Sequence, residues 1–211
     1  MKDYSHILFC GAFDGETDYL AKLGRLNILN VGVGFHESMY NLQNYLTKNE
    51  NIRSILFIGS AGAYPHSGLH VGEFVFSYKF LYKDLADIKK IAKVPNVVTK
   101  HLLAKTDPYI IQMSKSLGFK ETVSNSMNYV TLIDLSSEEL VDNLIEAGAE
   151  NMEAFSIAYI ANKLSIPFTA FYAITNIVGA NGSAEWASNW RKASNLLQKK
   201  IIQNMFGPRN T

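Results

Sequence analysis

The chain has 211 residues, 47% apolar and 18% charged, with no linker-like stretch, so a single domain over residues 1–211 with one sizeable core is expected. A net charge of +1 excludes nucleic-acid binding through a basic face, which needs clustered Lys and Arg, and leaves a small molecule as the expected partner. Cys10 is the single cysteine, no Cys/His spacing suits a metal, and neither a signal-like start nor a run of ~20 apolar residues is present; a cytoplasmic protein without metal or membrane attachment is expected.

In chain order, short apolar, β-branched runs at 7–10, 28–33, 52–58, 74–76, 129–133 and 168–174 read as mostly buried strands. Between them lie helical periods. Residues 38–46 put Met39, Leu42 and Leu46 on one face, and Ser136-Ser137-Glu138-Glu139 opens a second helix through Leu140 and Leu144. A third runs from Glu153 to Leu164 and a fourth over about 184–205, whereas 79–108 has no clean period and reads as a surface excursion. This alternation predicts an α/β fold of three layers (α/β/α) around a central mixed, mostly parallel sheet. Such sheets bind ligands at the carboxyl ends of their strands.

Four stretches fall there, and a fifth lies at a helix start. Gly32-Val33-Gly34 and Gly59-Ser60-Ala61-Gly62 read as turns that let backbone approach a ligand, or as ordinary tight turns. The former lacks the third glycine of a dinucleotide fingerprint. Gly11-Ala12-Phe13-Asp14-Gly15-Glu16 brings Asp14, Glu16 and Asp18 near a strand end, either as solvated turn residues or as a carboxylate that orients a water. Thr175-Asn176 reads as a polar turn after the last strand. Glu153, beside Met152 at a helix start, is either a capping charge or a carboxylate for vicinal ribose hydroxyls, with Met152 against the sugar's apolar face. Cys10, in an apolar run, is read as a small buried hydrophobe, and His36 as structural.

Gly11-Ala-x-x-x-Glu16, Gly59-Ser-Ala-Gly62 with Val71-Gly72-Glu73, Met152-Glu153-Ala154 and Ala173-Ile174-Thr175-Asn176, in that order, resemble the purine nucleoside phosphorylase and nucleosidase superfamily. Within it the chain is most similar to the hydrolase branch, the futalosine hydrolases and the methylthioadenosine/S-adenosylhomocysteine nucleosidases. The resemblance implies that Glu16 handles the attacking water and that Glu153 with Met152 holds the ribose. It places Ser60, Ala61 and Gly62 in the substrate site and Tyr129 or Val130 at the base-stacking position. Asn176 falls where adenine-cleaving members carry an aspartate, and futalosine hydrolases resemble this chain in having Asn there, followed by Val-Gly and a Trp, as in Val178-Gly179 and Trp186. The chain departs from the family at Asn151, usually Glu, and at Phe155, usually small; residues 124–128 match poorly.

Two differences separate branches. Related phosphorylases carry an Arg just before the Gly-Ser turn for phosphate, where this chain has Phe57, with Arg53 earlier; a phosphate dianion without a cation is poorly bound, which favours water. An amide at 176 cannot act as a general acid, but its NH2 and carbonyl suit a 6-oxopurine. The resemblance therefore implies a purine nucleoside N-ribosyl hydrolase acting on a 5′-modified 6-oxopurine nucleoside such as futalosine, of menaquinone biosynthesis, releasing hypoxanthine. It implies no cofactor and a homodimer. Methylthioadenosine/S-adenosylhomocysteine cleavage, phosphorolysis and nucleoside binding without turnover stand as alternatives.

Overall fold

The computed structural model describes residues 3–207; the ends of the expected 1–211 domain lie outside them. The strands are β1 (Ile7–Gly11), β2 (Asn27–Asn30), β3 (Ser54–Ala63), β4 (Phe74–Leu81), β5 (His101–Leu103), β6 (Lys120–Asn125), β7 (Ala149–Glu150) and β8 (Phe168–Ile177). The helices are α1 (Asp14–Ala21), α2 (Gly34–Leu46), α3 (Leu85–Ile88), α4 (Pro108–Ser116), α5 (Glu138–Leu144), α6 (Ala154–Lys163) and α7 (Gly182–Phe206). Among the described residues no helix is long and apolar enough to cross a membrane.

All eight strands join one mixed sheet. β1 pairs in parallel with β2 and β3, β3 with β8, and β6 with β4 and β7; β3/β7, β4/β5 and β4/β8 are antiparallel. Because β8 pairs with both β3 and β4, while β6 and β7 link β4 back to β3, part of the sheet closes on itself. That closure brings the ends of β3, β7 and β8 together.

Side chains alternate across the pleat, so a strand that is buried throughout feeds two cores. Leu8, Cys10, Ile55 and Phe57 face α2 and α6, where Leu42, Leu46, Ile157 and Ala161 meet them. Ile7, Phe9, Leu56 and Ile58 face Leu20 of α1, Met113 of α4 and Leu197 and Ile201 of α7. A smaller cluster gathers Leu140 and Leu144 of α5 around Tyr64 and Val178. These are the three expected layers.

Several expectations need correction. The run 59–62 is not a turn, since β3 continues to Ala63 with an irregularity between Ala61 and Gly62, and Thr175-Asn176 likewise lies inside β8. Small residues at these positions admit neighbouring side chains rather than end the strand. Residues 129–133 form no strand: Val130 and Leu132 are exposed, and the segment is held by side chains rather than by a ladder. Its apolar residues mark an exposed rim instead. The stretch 79–108 is partly ordered structure, carrying the end of β4, α3 and β5. α1 begins inside the segment 11–16 expected as a turn, and α4, β6 and β7 have no counterpart among the expected elements.

Candidate active site

Glu16 sits in the first turn of α1 and points inward, only 2% exposed. Its Oε2 accepts from the Ala12 N–H at 2.9 Å; its Oε1 accepts from the Ser60 N–H at 2.9 Å and the Ser60 hydroxyl at 3.1 Å. The other carboxylates of this segment are drawn elsewhere. Asp14 accepts from Asn30, and Asp18 forms an ion pair with Arg191 at 2.7 Å. Ser60 Oγ in turn accepts from the Trp186 indole N–H at 3.0 Å, and Trp186 stacks on Trp190, whose ring meets Phe13 edge-on.

Glu153 occupies the N-cap position of α6, yet its side chain caps nothing. Asn151 Oδ1 does so instead, accepting from the N–H groups of Glu153 and Ala154 at 2.9 Å each. Ser126 Oγ takes the Phe155 N–H at 3.1 Å. With these orphan donors satisfied by others, the Glu153 carboxyl turns inward, where Oε1 accepts from the Gly34 N–H at 2.9 Å and Oε2 from Asn151 Nδ2 at 3.0 Å. The capping-charge alternative for Glu153 therefore fails.

Gly34 demands its residue type twice over, as Gly32 does two residues earlier. The φ of +80° at Gly34 suits glycine, and a Cβ there would lie 2.5 Å from Asn128 Oδ1. This close approach brings the loop after β6 onto the start of α2, where Asn128 also accepts from the Phe35 N–H at 3.0 Å.

The two glutamates are nearly dry and repel one another. Burial, then the like charge of Glu153, pushes Glu16 up to about 8 against its three donors. Burial pushes Glu153 up to about 7, with the Gly34 and Asn151 bonds pulling the other way. Two such carboxylates form a place where developing positive charge is favoured. Burial also holds the Cys10 thiol far above its ordinary range, in keeping with an inert core residue.

Asn176 is buried at the end of β8. Its Oδ1 accepts from Thr175 Oγ1 at 2.9 Å and its Nδ2 donates to the Ile177 carbonyl at 3.3 Å. The amide fits against Gly62 and Gly182: an added Cβ would come within 2.7 Å and 3.1 Å of Nδ2. Each polar atom of the amide keeps one unused bonding position. Met152 is half-buried between Asn151 and Glu153.

Tyr129 and Val130 sit on the exposed loop that Asn128 ties to Phe35 at one end and Thr131 ties to Glu150 at the other. Tyr129 is turned to α3, its hydroxyl accepting from the Leu85 N–H at 3.1 Å. Sequence reasoning missed the anchor itself. Glu150 is a buried carboxylate that accepts from Thr131 Oγ1 at 2.7 Å and Tyr64 at 3.0 Å, while Asn125 donates to Tyr64 at 3.0 Å. Phe155 packs with Phe35 and Tyr82.

The structure thus brings Glu16, Ser60, Asn151 and Glu153 into one hydrogen-bonded group, with Gly62 and Asn176 joined through β3–β8 pairing. A three-layer α/β/α sheet partly closed on itself, with this polar group at the β3 and β8 ends, defines the nucleoside phosphorylase and nucleosidase fold class. The chain belongs to the phosphorylase superfamily, whose family model matches residues 13–203. Solved structures agree on the fold. The 5′-methylthioadenosine/S-adenosylhomocysteine nucleosidase of Neisseria meningitidis, in complex with methylthio-immucillin-A, superimposes with a TM-score of 0.77 at 16% identity, covering 95% of this chain and 98% of that one. The futalosine hydrolase of Helicobacter pylori gives 0.77 at 15% identity, covering 96% and 97%. An aspartate-to-asparagine mutant of the Helicobacter pylori nucleosidase, with 5′-methylthioadenosine in its active site, gives 0.78 at 16%, covering 95% and 98%. No curated protein matches the sequence.

Proposed function

We propose that this protein is a purine nucleoside N-ribosyl hydrolase acting on a 5′-modified 6-oxopurine nucleoside, with futalosine and release of hypoxanthine as the specific case. The observation that carries the reading is the buried pair of Glu16 and Glu153. Breaking the N-glycosidic bond leaves positive charge on the ribosyl centre, and two desolvated carboxylates stabilise it far more than water would. Each Glu153 oxygen has a lone pair left for a ribose hydroxyl. Glu16, pushed up to about 8, is matched to taking a proton near neutral pH.

In the proposed reaction the C–N bond breaks, its electron pair leaves with the purine, and the water oxygen bonds to the anomeric carbon as Glu16 takes its proton. Asn176 bonds the base at O6 and N7, and the proton that ends on the base comes from solvent. Tyr129 and Val130 take the face of the base, and Met152, Ser60, Ala61 and Gly62 line the sugar side. Water rather than phosphate is the nucleophile. Phe57 is buried and Arg53 lies beyond the amino end of β3, roughly 20 Å along the strand from Ser60 at ~3.3 Å per residue. A dianion beside two carboxylates is repelled.

A homodimer in the cytoplasm completes the reading, supported by the exposed Val33, Val130 and Leu132 and by one buried cysteine. A second reading, methylthioadenosine or S-adenosylhomocysteine cleavage, rests on equally similar structures of that activity. The test is incubation with futalosine, inosine and methylthioadenosine, with and without phosphate, following free base. Phosphate-independent release from futalosine supports the first reading, preference for methylthioadenosine the second, and strict dependence on phosphate overturns hydrolysis.

A further inference from the structure

Asn151 stands where the family usually has a carboxylate, and its side chain is spent completely. It is 7% exposed. Nδ2 donates to Glu153 Oε2 and to the Ser60 carbonyl, both at 3.0 Å, while Oδ1 accepts the Glu153 and Ala154 N–H groups at 2.9 Å. Two donor hydrogens and two lone pairs are all that an amide offers.

Those bonds fall into two jobs. Oδ1 caps α6, a task that Asp, Ser or Thr performs about as well. Nδ2 plays no part in the cap. It pins one oxygen of Glu153 while Gly34, from α2, pins the other, so the plane of the carboxyl is fixed by two elements. It also binds the carbonyl of the residue whose N–H and hydroxyl hold Glu16. Without it Glu153 could pivot about the Gly34 bond and lose register with two hydroxyls at once.

We propose that Asn151 is a positioning residue that aims the Glu153 carboxyl at the vicinal ribose hydroxyls and so sets discrimination between ribosyl and deoxyribosyl nucleosides. The inference rests on the nucleoside reading above. A glutamate at this position reaches further and carries charge; an asparagine supplies a neutral donor at short range beside an already crowded pair of carboxylates.

The test compares dissociation constants for inosine and 2′-deoxyinosine in wild type, Asn151→Asp and Asn151→Ser. Both variants retain a capping acceptor and lose the NH2; the Ser variant adds no charge and guards against a fold lost to a third buried carboxylate. Wild type should favour inosine. In a folded variant, shown by far-ultraviolet circular dichroism, that preference should shrink about ten- to a hundredfold, the scale of a lost hydrogen bond to a charged group. A folded variant that keeps the wild-type preference overturns the inference and leaves the nucleoside reading standing. Wild type that binds neither nucleoside but releases base from futalosine overturns this inference alone; wild type that binds neither and releases base from none of the three nucleosides above overturns both.

Discussion

Glu16 and Glu153 are tied to the two ends of one residue. Ser60 gives its N–H and hydroxyl to Glu16, and its carbonyl receives Asn151, which holds Glu153. The separation of the two acids is therefore set through one residue of β3, with the Asn151 side chain as the bridge to Glu153.

Replacing Glu153 by Gln tests the ribose role. The amide would turn an NH2 toward either Gly34 N–H or Asn151 Nδ2, both donors, and would lose the charge that faces the ribosyl centre. A fall in kcat/KM of about 10²–10³-fold is expected, comparable to removing one electrostatic contact to a transition state. Unchanged kcat/KM for base release would remove Glu153 from the mechanism.

How far such a role is legible in sequence depends on where its partners come from. The helix start at Glu153 and the Gly-rich ends of β1 and β3 are local patterns, and they are what carries the resemblance. What stayed hidden is long-range. Nothing near Glu153 says that Asn151 will cap α6 and free the carboxyl, or that Gly34 will donate to it from α2. The Glu150, Tyr64 and Asn125 network joins three strand ends that meet only because the sheet closes. β6 was unreadable because Lys120-Glu121-Thr122-Val123-Ser124-Asn125 is largely polar, its buried Ser124 and Asn125 being satisfied by hydrogen bonds rather than by apolar packing. Conversely, 129–133 looks like a strand because it is a short run of apolar, β-branched residues, although several of them face outward.

Activity should depend on both acids being ionised. Because they share one field, they titrate as a pair in two steps, with Glu153 near 7 and Glu16 near 8. The profile of kcat/KM reports the free enzyme, so it should climb from pH 6 and level off above about 9. In Glu16→Gln the upper step should disappear along with most of the rate. A wild-type profile that is flat between pH 6 and 8.5 would contradict the assignment.

The same shifts predict a stability trend of opposite sense. Both folded-state values lie above the ordinary carboxyl value of 4.5, so between about pH 4.5 and 8 the folded protein holds protons that the unfolded chain has released. Stability contributed by these groups therefore falls as pH rises through that window and is constant above it. The comparison that isolates the effect is the difference in Tm between pH 5 and pH 9, measured for wild type and Glu16→Gln. The drop should be smaller by a few degrees in the variant, the scale of a kcal/mol or two in a domain of this size. An equal or larger drop in the variant would mean that Glu16 is not the group being titrated.

Base preference should be exchanged by Asn176→Asp. The amide lies against Gly62 and Gly182, with Nδ2 directed at the Ile177 carbonyl. An aspartate there sets an oxygen against that carbonyl, which favours the protonated form, and a protonated carboxyl can give its proton to N7 of an adenine. It can no longer offer an NH2 to O6 of a 6-oxopurine while accepting from N7–H. Release of base from futalosine or inosine should fall about ten- to a hundredfold, the cost of leaving a polar group of the substrate unpaired, and release of adenine from methylthioadenosine should rise. Since Gly62 leaves no Cβ in the way, the smaller change from NH2 to oxygen needs no repacking, and Tm should stay near that of wild type at pH 6. If the ranking of substrates by kcat/KM is the same in the variant as in the wild type, the base is not read by residue 176, and the 6-oxopurine assignment falls with it.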